Sequence, residues 1–204
     1  MTYSYLTIDS AGEGIYKEKG SKFLAFAYPV RTEQEIKAHI DHLKKNFFDA
    51  RHHCFAWILG PEKKQVRAFD DGEPNHSAGD PILGQIRSRD LTNTLVVVVR
   101  YFGGTKLGVG GLISAYRTAA DDSLNHCVII EVEVKESFRL TYAYESTPDV
   151  MRLVKELDVT ITNQTFGDVG SLEATIHLAR KDELLQRIKL LEALRHAIKL
   201  EILA

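Results

Sequence analysis

Hydrophobic positions in the first 135 residues switch between two-residue and helical spacing, which predicts a mixed α and β region. Strands are predicted at 14–19 and 22–30, as a hairpin around Gly20, and at 54–59, 66–69 and 128–134, while the continuous apolar run at 95–102 predicts a fully buried strand. The helical spacing predicts helices after the capping residue Thr32, after Asp80 and over about 112–125. The segment 2–9 shows no clear element.

From residue 136 onward the predicted elements follow a regular order. Alternation predicts strands at 138–144, 159–166, 172–178 and 198–202. Thr147 followed by a proline predicts one helix start, and Asp182 predicts the cap of a second helix. The β-α-β-β-α-β order is that of a ferredoxin-like fold. With a boundary after residue 135, the sequence predicts an α+β chain with domains at 1–135 and 136–204.

A glycine-rich loop joins the buried strand that ends at Phe102 to the helix that follows. Its glycines are Gly103, Gly104, Gly108, Gly110 and Gly111. Glycine lets a backbone come close to a ligand, and a helix N-terminus favours an anion. Three cations, Arg100, Lys106 and Arg117, flank the loop and favour the interpretation of an anion site. A tight turn that packs a helix against a sheet would use the same glycines.

The loop does not follow the nucleotide-binding motifs with firm spacing. Val109 stands where a P-loop requires lysine, and Ile113 stands where a dinucleotide fingerprint requires its third glycine. The sequence therefore predicts no cofactor.

An acidic turn at 70–76, DDGEPNH, holds the candidate catalytic residues Asp70, Asp71, Glu73 and His76. Three interpretations remain open for it. The residues could form a solvated acidic turn, hold a metal ion, or use His76 as a general acid or base. The spacing misses the calcium-loop pattern, and no metal ligand set is assigned.

Arg51, His52 and His53 precede a strand-like run. Successive residues of a strand point to opposite faces, so the two histidines are not expected in one site. The same alternation argues against Cys54 as a thiol activated by His53. Cys54 and Cys127 lie in apolar surroundings and are expected to be reduced.

Composition narrows the class of protein without naming a function. The 204 residues are 44% hydrophobic and 26% charged, as in ordinary globular proteins. A net charge of −2 argues against a strongly electrostatic, non-specific coat for nucleic acid. The first residues lack a signal-peptide layout, and no apolar run is long enough to cross a membrane. We therefore expect a cytoplasmic protein with no membrane partner.

Four separated segments resemble the IMPACT/YigZ family in the family's order. They are KGSKF at 19–23, ARHHCFAW at 50–57, DDGEPNHSAGDPIL at 70–83 and VVVVRYFGGTKLGVGGL at 96–112. The resemblance implies a first domain like domain 2 of ribosomal protein S5 and a ferredoxin-like second domain. The chain resembles the bacterial branch, because it lacks the extra N-terminal domain with which eukaryotic members bind their translation-stress partner.

Both implied folds recur in RNA- and ribosome-binding proteins, so the first hypothesis is a binding protein linked to translation regulation. Arg100, Lys106 and the loop N–H groups would hold phosphates. Arg51, His52, Tyr101 and Arg117 are candidates to extend the patch. One alternative is a small metal-assisted hydrolase or phosphate-handling enzyme. Another is a protein-interaction adaptor that uses the exposed sheet of the second domain.

Overall fold

The computed structural model describes residues 2–203. The chain divides into two compact units, 1–132 and 133–204, each with its own hydrophobic core. Over the described residues, no helix is both long enough and apolar enough to cross a membrane.

The first unit contains three helices and seven strands, and the last strand ends one residue beyond the boundary at 132. The strands are β1 (Ser4–Ile8), β2 (Gly12–Glu18), β3 (Ser21–Pro29), β4 (His52–Leu59), β5 (Gln65–Phe69), β6 (Thr94–Tyr101) and β7 (Ile129–Glu133). The helices are α1 (Glu33–Asn46), α2 (Gly79–Ser88) and α3 (Gly108–Asn125). β1 pairs with β7, and the other five strands form an antiparallel sheet in the order β2-β3-β6-β4-β5.

The five-stranded sheet separates two layers of core. Alternate residues of β3, β4 and β6, such as Phe23, Ala56 and Val98, pack with α2 and α3 on one face. Their neighbours along each strand, such as Trp57 and Val97, pack with α1 on the other face. Since both faces are covered, the central strand β6 is apolar almost throughout, as its valine run predicts.

Helix α1 begins where the capping signal predicts. Thr32 Oγ1 accepts a hydrogen bond from the Glu35 N–H at 3.2 Å, and Glu35 Oε2 accepts one from the Arg31 N–H at 2.6 Å. Ile36 and Leu43 turn inward from the same helix. The predicted helix is thus observed with its cap.

Two predictions for this unit were wrong: one strand was not expected, and the start of one helix was misplaced. Residues 4–8, for which no element was expected, form β1, because β7 supplies a partner that is distant in sequence. Helix α3 begins at Gly108 rather than near Leu112. Four residues of the glycine loop, including Gly110 and Gly111, therefore belong to its first turn, where low helix propensity costs less than in the interior.

Close packing of β2 on α3 depends on glycine. A Cβ atom at Gly14 would lie 2.3 Å from the Ser123 backbone nitrogen, and one at Gly12 would lie 2.4 Å from the Ser123 carbonyl oxygen. The sheet can therefore approach the helix backbone directly at this edge.

The second unit has the element order predicted from the sequence. Its elements are β8 (Lys135–Ala143), α4 (Thr147–Glu156), β9 (Thr160–Thr165), β10 (Val169–His177), α5 (Lys181–Ala193) and β11 (Ile198–Ile202). They form an antiparallel sheet in the order β11-β8-β10-β9 around a core that includes Phe138, Leu172 and Ile188.

Both helix caps in the second unit differ from the prediction. Ser146 rather than Thr147 is the N-cap of α4, and Arg180 rather than Asp182 precedes α5. Short 3-10 turns lead into both helices and move each start toward the N-terminus.

Candidate functional site

A buried ion pair joins the acidic turn to the end of strand β6. Arg100 Nη1 donates to Glu73 Oε1 at 2.6 Å, and the two residues are only 5% and 8% exposed. Glu73 follows β5 by four residues, and Arg100 precedes the glycine loop. The two motifs that stand far apart in sequence therefore meet through one charged contact.

Helix α3 and strand β4 extend this contact into a buried polar network. The Tyr116 hydroxyl donates to Glu73 Oε1 at 2.8 Å, and Cys54 Sγ lies 3.3 Å from the Tyr116 hydroxyl oxygen. Burial is the main cause that raises the pKa of the Cys54 thiol and of the Tyr116 phenol. Both groups therefore stay protonated at neutral pH, which excludes Cys54 as a thiolate nucleophile.

Asp70 stabilises the start of helix α2. Its carboxylate accepts hydrogen bonds from the backbone N–H groups of His76, Ala78 and Gly79 at 2.8–3.0 Å. Desolvation raises the pKa of Asp70, but these three bonds outweigh it and leave the pKa below its usual value. Asp70 is therefore an anionic helix cap.

Asp71 and His76 of the acidic turn also have hydrogen-bonding or charged partners within the protein. Asp71 Oδ2 accepts a hydrogen bond from the His53 N–H at 2.7 Å. His76 is exposed and lies beside Asp80, with 2.6 Å between Nδ1 and Oδ2. With Glu73 buried, the turn is not a solvated acidic loop, and no group of three or more metal-ligating side chains occurs within residues 2–203.

The two neighbouring histidines of β4 face opposite sides of the sheet, as strand alternation predicts. His52 pairs with Arg100 across the strands, and its Nε2 lies 3.9 Å from Glu73 Oε1. Its Nδ1 lies 2.9 Å from the Asp71 carbonyl oxygen, which can accept a hydrogen bond from that nitrogen when it is protonated. His53 is buried on the α1 side, and this burial lowers its pKa.

The glycines of the loop serve two different purposes. A Cβ atom at Gly103 would lie 1.9 Å from the Gly20 carbonyl carbon, so Gly103 is required by packing against the β2–β3 turn. Gly104 and Gly108 have φ angles of +86° and +71°, which favour glycine. Nothing lies within 4 Å of a Cβ built at either one, so both face open space.

The first turn of α3 is exposed at this loop. Its N-cap residue, Leu107, provides no side-chain hydrogen bond, and residues 108–110 are exposed. The first backbone N–H groups of a helix have no intrahelical acceptor. The loop therefore presents donors and the positive end of an 18-residue helix to solvent.

The acidic turn and the glycine loop together enclose a pocket of about 340 Å3. It is lined by Glu73, Pro74, Arg100, Phe102, Lys106, Leu107, Gly108, Val109 and Leu112. The Arg100 guanidinium carbon lies 5.3 Å from the Phe23 ring centre and 5.6 Å from that of Phe102. Arg100 Nε is buried without a hydrogen-bond partner in the described part of the chain.

The four residues predicted to extend the patch, among them His52 with the contacts given above, do not line this pocket. Tyr101 points to the other face of the sheet, where its hydroxyl donates to Asp49 Oδ1 at 2.8 Å. Arg51 is exposed just before β4. Arg117 is exposed on α3, roughly 13 Å along the axis from Gly108.

Tyr116 and Pro74 were not among the predicted site residues. Tyr116 shares a helix face with Leu112, four residues earlier, and this spacing was the available signal for its inward direction. Its partners Glu73 and Cys54 are 43 and 62 residues away, so the polar role of its hydroxyl had no local signal.

A sequence model described as the Impact N-terminal domain matches residues 19–124, just over half of the chain. The chain belongs to the IMPACT family. Every residue that lines the pocket lies within the matched range. The pocket is therefore a feature of the IMPACT domain of this chain.

Relatives and a solved structure extend the likeness beyond that domain. "IMPACT family member YigZ" of Escherichia coli is 30% identical over 167 residues, which cover 81% of this chain and 82% of that protein. "IMPACT family member YvyE" of Bacillus subtilis is 42% identical over 131 residues, but only 60% of its length is covered. A structure described as "Crystal structure of an hypothetical protein" is 27% identical, with a TM-score of 0.74 over 100% of this chain and 99% of the other.

Proposed function

We propose that this IMPACT family protein binds RNA, on its own or within the ribosome, and acts in translation regulation. The pocket between the acidic turn and the glycine loop is the proposed contact for the phosphate backbone. The observation that carries the proposal is the exposed N-terminus of α3 in a pocket that also holds Lys106 and Arg100.

The proposed phosphate ligands differ in their roles. The N–H groups of Gly108, Val109 and Gly110 and the side chain of Lys106 provide donors at the open side of the pocket. Arg100 is buried and paired with Glu73, so it contributes at the pocket wall rather than as a free surface cation. Glu73 positions Arg100 and offsets its charge.

The pocket also offers apolar surface to a nucleotide. Phe102 is 43% exposed and Val109 is 53% exposed, and both line the pocket. An aromatic ring beside phosphate donors is the usual arrangement in proteins that bind single-stranded nucleic acid, because any base can stack on the ring. A segment with unpaired bases therefore fits the pocket better than a continuous duplex.

We also propose names for the two folds. The antiparallel order β11-β8-β10-β9, with α4 and α5 in a β-α-β-β-α-β chain, supports a ferredoxin-like second unit. We propose that the first unit has the fold of domain 2 of ribosomal protein S5. Membership of the IMPACT family supports this second assignment, which the sequence motifs implied.

The competing interpretation as a metal-assisted hydrolase has less support. Asp70 is used by three backbone N–H groups, and Glu73 by Arg100 and Tyr116. These carboxylates therefore stabilise the fold through hydrogen bonds and an ion pair, and they are not directed at one shared metal position.

The test is binding of the purified protein to ribosomes, structured RNA and single-stranded RNA across a salt series, with and without a chelator. We expect binding that weakens with salt and ignores the chelator. Lys106→Ala should weaken binding to all RNA sequences and reduce the salt slope by about 1. The matched control is Lys45→Ala, which removes an exposed lysine from α1 on the other side of the sheet.

Absence of binding at low salt would overturn the proposal. Equal effects of the Lys106→Ala and Lys45→Ala substitutions would remove the glycine loop as the contact, even if RNA binds elsewhere.

A further inference from the structure

We propose that a second site, the groove between α1 and strand β5, binds an acidic, extended segment of a partner protein. The groove has a volume of about 470 Å3. It lies on the α1 side of the five-stranded sheet, whereas the glycine loop leads into α3 on the other side. This inference does not depend on RNA binding by the pocket.

The walls of the groove combine an apolar floor with a basic rim. Helix α1 contributes Ile36, Lys37, Ile40 and Lys44, and strands β4 and β5 contribute Phe55, Trp57, Arg67 and Phe69. Phe69 is 39% exposed although it is a large aromatic residue. Apolar surface that stays open beside charged residues is typical of a protein-binding site.

Strand β5 can accept another strand. It is one of the two edge strands of the sheet and, among the described residues, has only β4 as a hydrogen-bonded neighbour. Its register pairs Arg67 with Trp57 and Phe69 with Phe55, so these four side chains share the α1 face. An added strand would lie about 4.8 Å beyond β5 and could direct alternate side chains into the groove.

Charge decides what kind of segment fits. Among the described lining residues, three carry positive charge, Lys37, Lys44 and Arg67, and Glu33 carries negative charge. This excess favours a segment with acidic residues. A second copy of the chain fits poorly, because antiparallel pairing of two β5 strands about their centres would place Arg67 opposite Arg67.

The open edge of β5 and the burial of two of the aromatic rings favour a peptide over nucleic acid at this groove. Trp57 is only 6% exposed and Phe55 only 7%, and the Phe55 ring centre lies 5.2 Å from that of Phe69 and 6.0 Å from the Arg67 guanidinium carbon. Trp57 and Phe55 therefore cannot serve as stacking platforms for bases, which leaves Phe69 as the one exposed aromatic ring among the described lining residues. The open apolar surface suits aliphatic side chains that alternate with carboxylates along an extended peptide.

Trp57 makes the test specific, since it is the single tryptophan of the chain. The full chain is titrated with a capped peptide of alternating glutamate and valine, with its lysine-for-glutamate counterpart, and with single-stranded oligouridine. We expect the acidic peptide alone to change Trp57 emission saturably. Amide hydrogen exchange in Gln65–Phe69 should slow on binding, because edge N–H groups become paired.

A charge-reversed variant completes the test. The double variant Lys37→Glu with Lys44→Glu should bind the acidic peptide at least about tenfold more weakly, because repulsion between like charges replaces attraction. Lys45→Glu, an exposed change outside the groove, should leave the affinity within about twofold. Circular dichroism verifies that both variants fold.

Three results would overturn the proposal. They are an unchanged Trp57 signal with the acidic peptide, equal affinities of the two charge-reversed variants, and a response to oligouridine in place of the peptide. RNA binding at the glycine loop is tested separately with Lys106→Ala. A negative result for peptide binding at the groove is therefore distinguishable from a negative result for RNA binding at the loop.

Discussion

At the scale of single residues, the buried pair of Glu73 and Arg100 organises the candidate pocket. Removing one partner from a buried pair leaves an uncompensated charge. Glu73→Ala should therefore lower the free energy of unfolding by roughly 3–5 kcal/mol. Urea titration followed by Trp57 fluorescence measures this, because Trp57 lies in the same sheet as Arg100.

The double substitution Glu73→Leu with Arg100→Met is the control for that change. It replaces both charges by apolar groups and should recover most of the lost stability. A double variant as unstable as Glu73→Ala would show that the charge pair is not the cause.

The contribution of Asp70 to the stability of the fold should depend on pH. Its pKa is lowered in the folded protein, so its carboxylate stabilises the fold above the unfolded value of 3.8 and loses this effect as pH falls through the lower folded value. Asp70→Ala should cost about 1–2 kcal/mol at pH 7, as for loss of a helix cap.

Urea titrations of the wild type and Asp70→Ala between pH 7 and pH 3 measure the effect. The difference between the two proteins should narrow only at the acidic end of this range. A difference that stays constant down to pH 3, or that narrows already at pH 6, would contradict the assignment of Asp70 as an anionic cap.

The sequence indicated which residues carry charge in the motifs but not how they are used. Asp70, Asp71 and Glu73 fall in one segment with turn residues throughout, and a solvated turn, a metal site and a general acid or base all stayed open for it. Glu73 is buried because Arg100 and Tyr116 reach it from 27 and 43 residues away. Contacts at such separations have no signature in local spacing.

At the scale of elements, the packing of β2 on α3 depends on the absence of a side chain at Gly14. Gly14→Ala would place Cβ 2.3 Å from the Ser123 backbone nitrogen and should destabilise the protein by roughly 1–3 kcal/mol. Thermal unfolding monitored by circular dichroism measures the change.

Gly84→Ala is the matched control for this prediction. Gly84 lies within α2, and no atom lies within 4 Å of its added Cβ, so alanine should stabilise the helix by up to about 1 kcal/mol. A stabilising Gly14→Ala would show that α3 can move away from β2 without loss.

Elements with strong periodicity were the ones the sequence predicted well. Helix α1 has its capping box, and β6 has its valine run, so local residues determine both. The start of α3 was misplaced because Gly108, Gly110 and Gly111 resemble a loop by propensity. Strand β1 was missed because its five residues form a strand only with β7.

At the scale of the whole molecule, the two units have separate cores, and we predict that residues 133–204 fold alone. The core of this unit includes Phe138, Tyr142, Leu172 and Ile176, all at most 1% exposed. The fragment should show dispersed amide resonances and one cooperative thermal transition. A fragment that lacks both would contradict independent folding of the second unit.

The order of elements along the second unit followed from alternation, but the strand order of the first unit could not be predicted. Placing β6 between β3 and β4 brings Arg100 opposite Phe23 and His52. That register creates the pocket wall, and it is set by the packing of a whole sheet rather than by any motif.

The proposed function requires the first turn of α3 to bind phosphate. The most direct measurement is the shift of backbone amide resonances on titration with a 5′-phosphorylated single-stranded RNA at low salt. We expect saturable shifts at residues 106–110 that are smaller in Lys106→Ala and that weaken when salt is added. RNA binding that leaves these amides unchanged, or no binding at all, would contradict the proposed function.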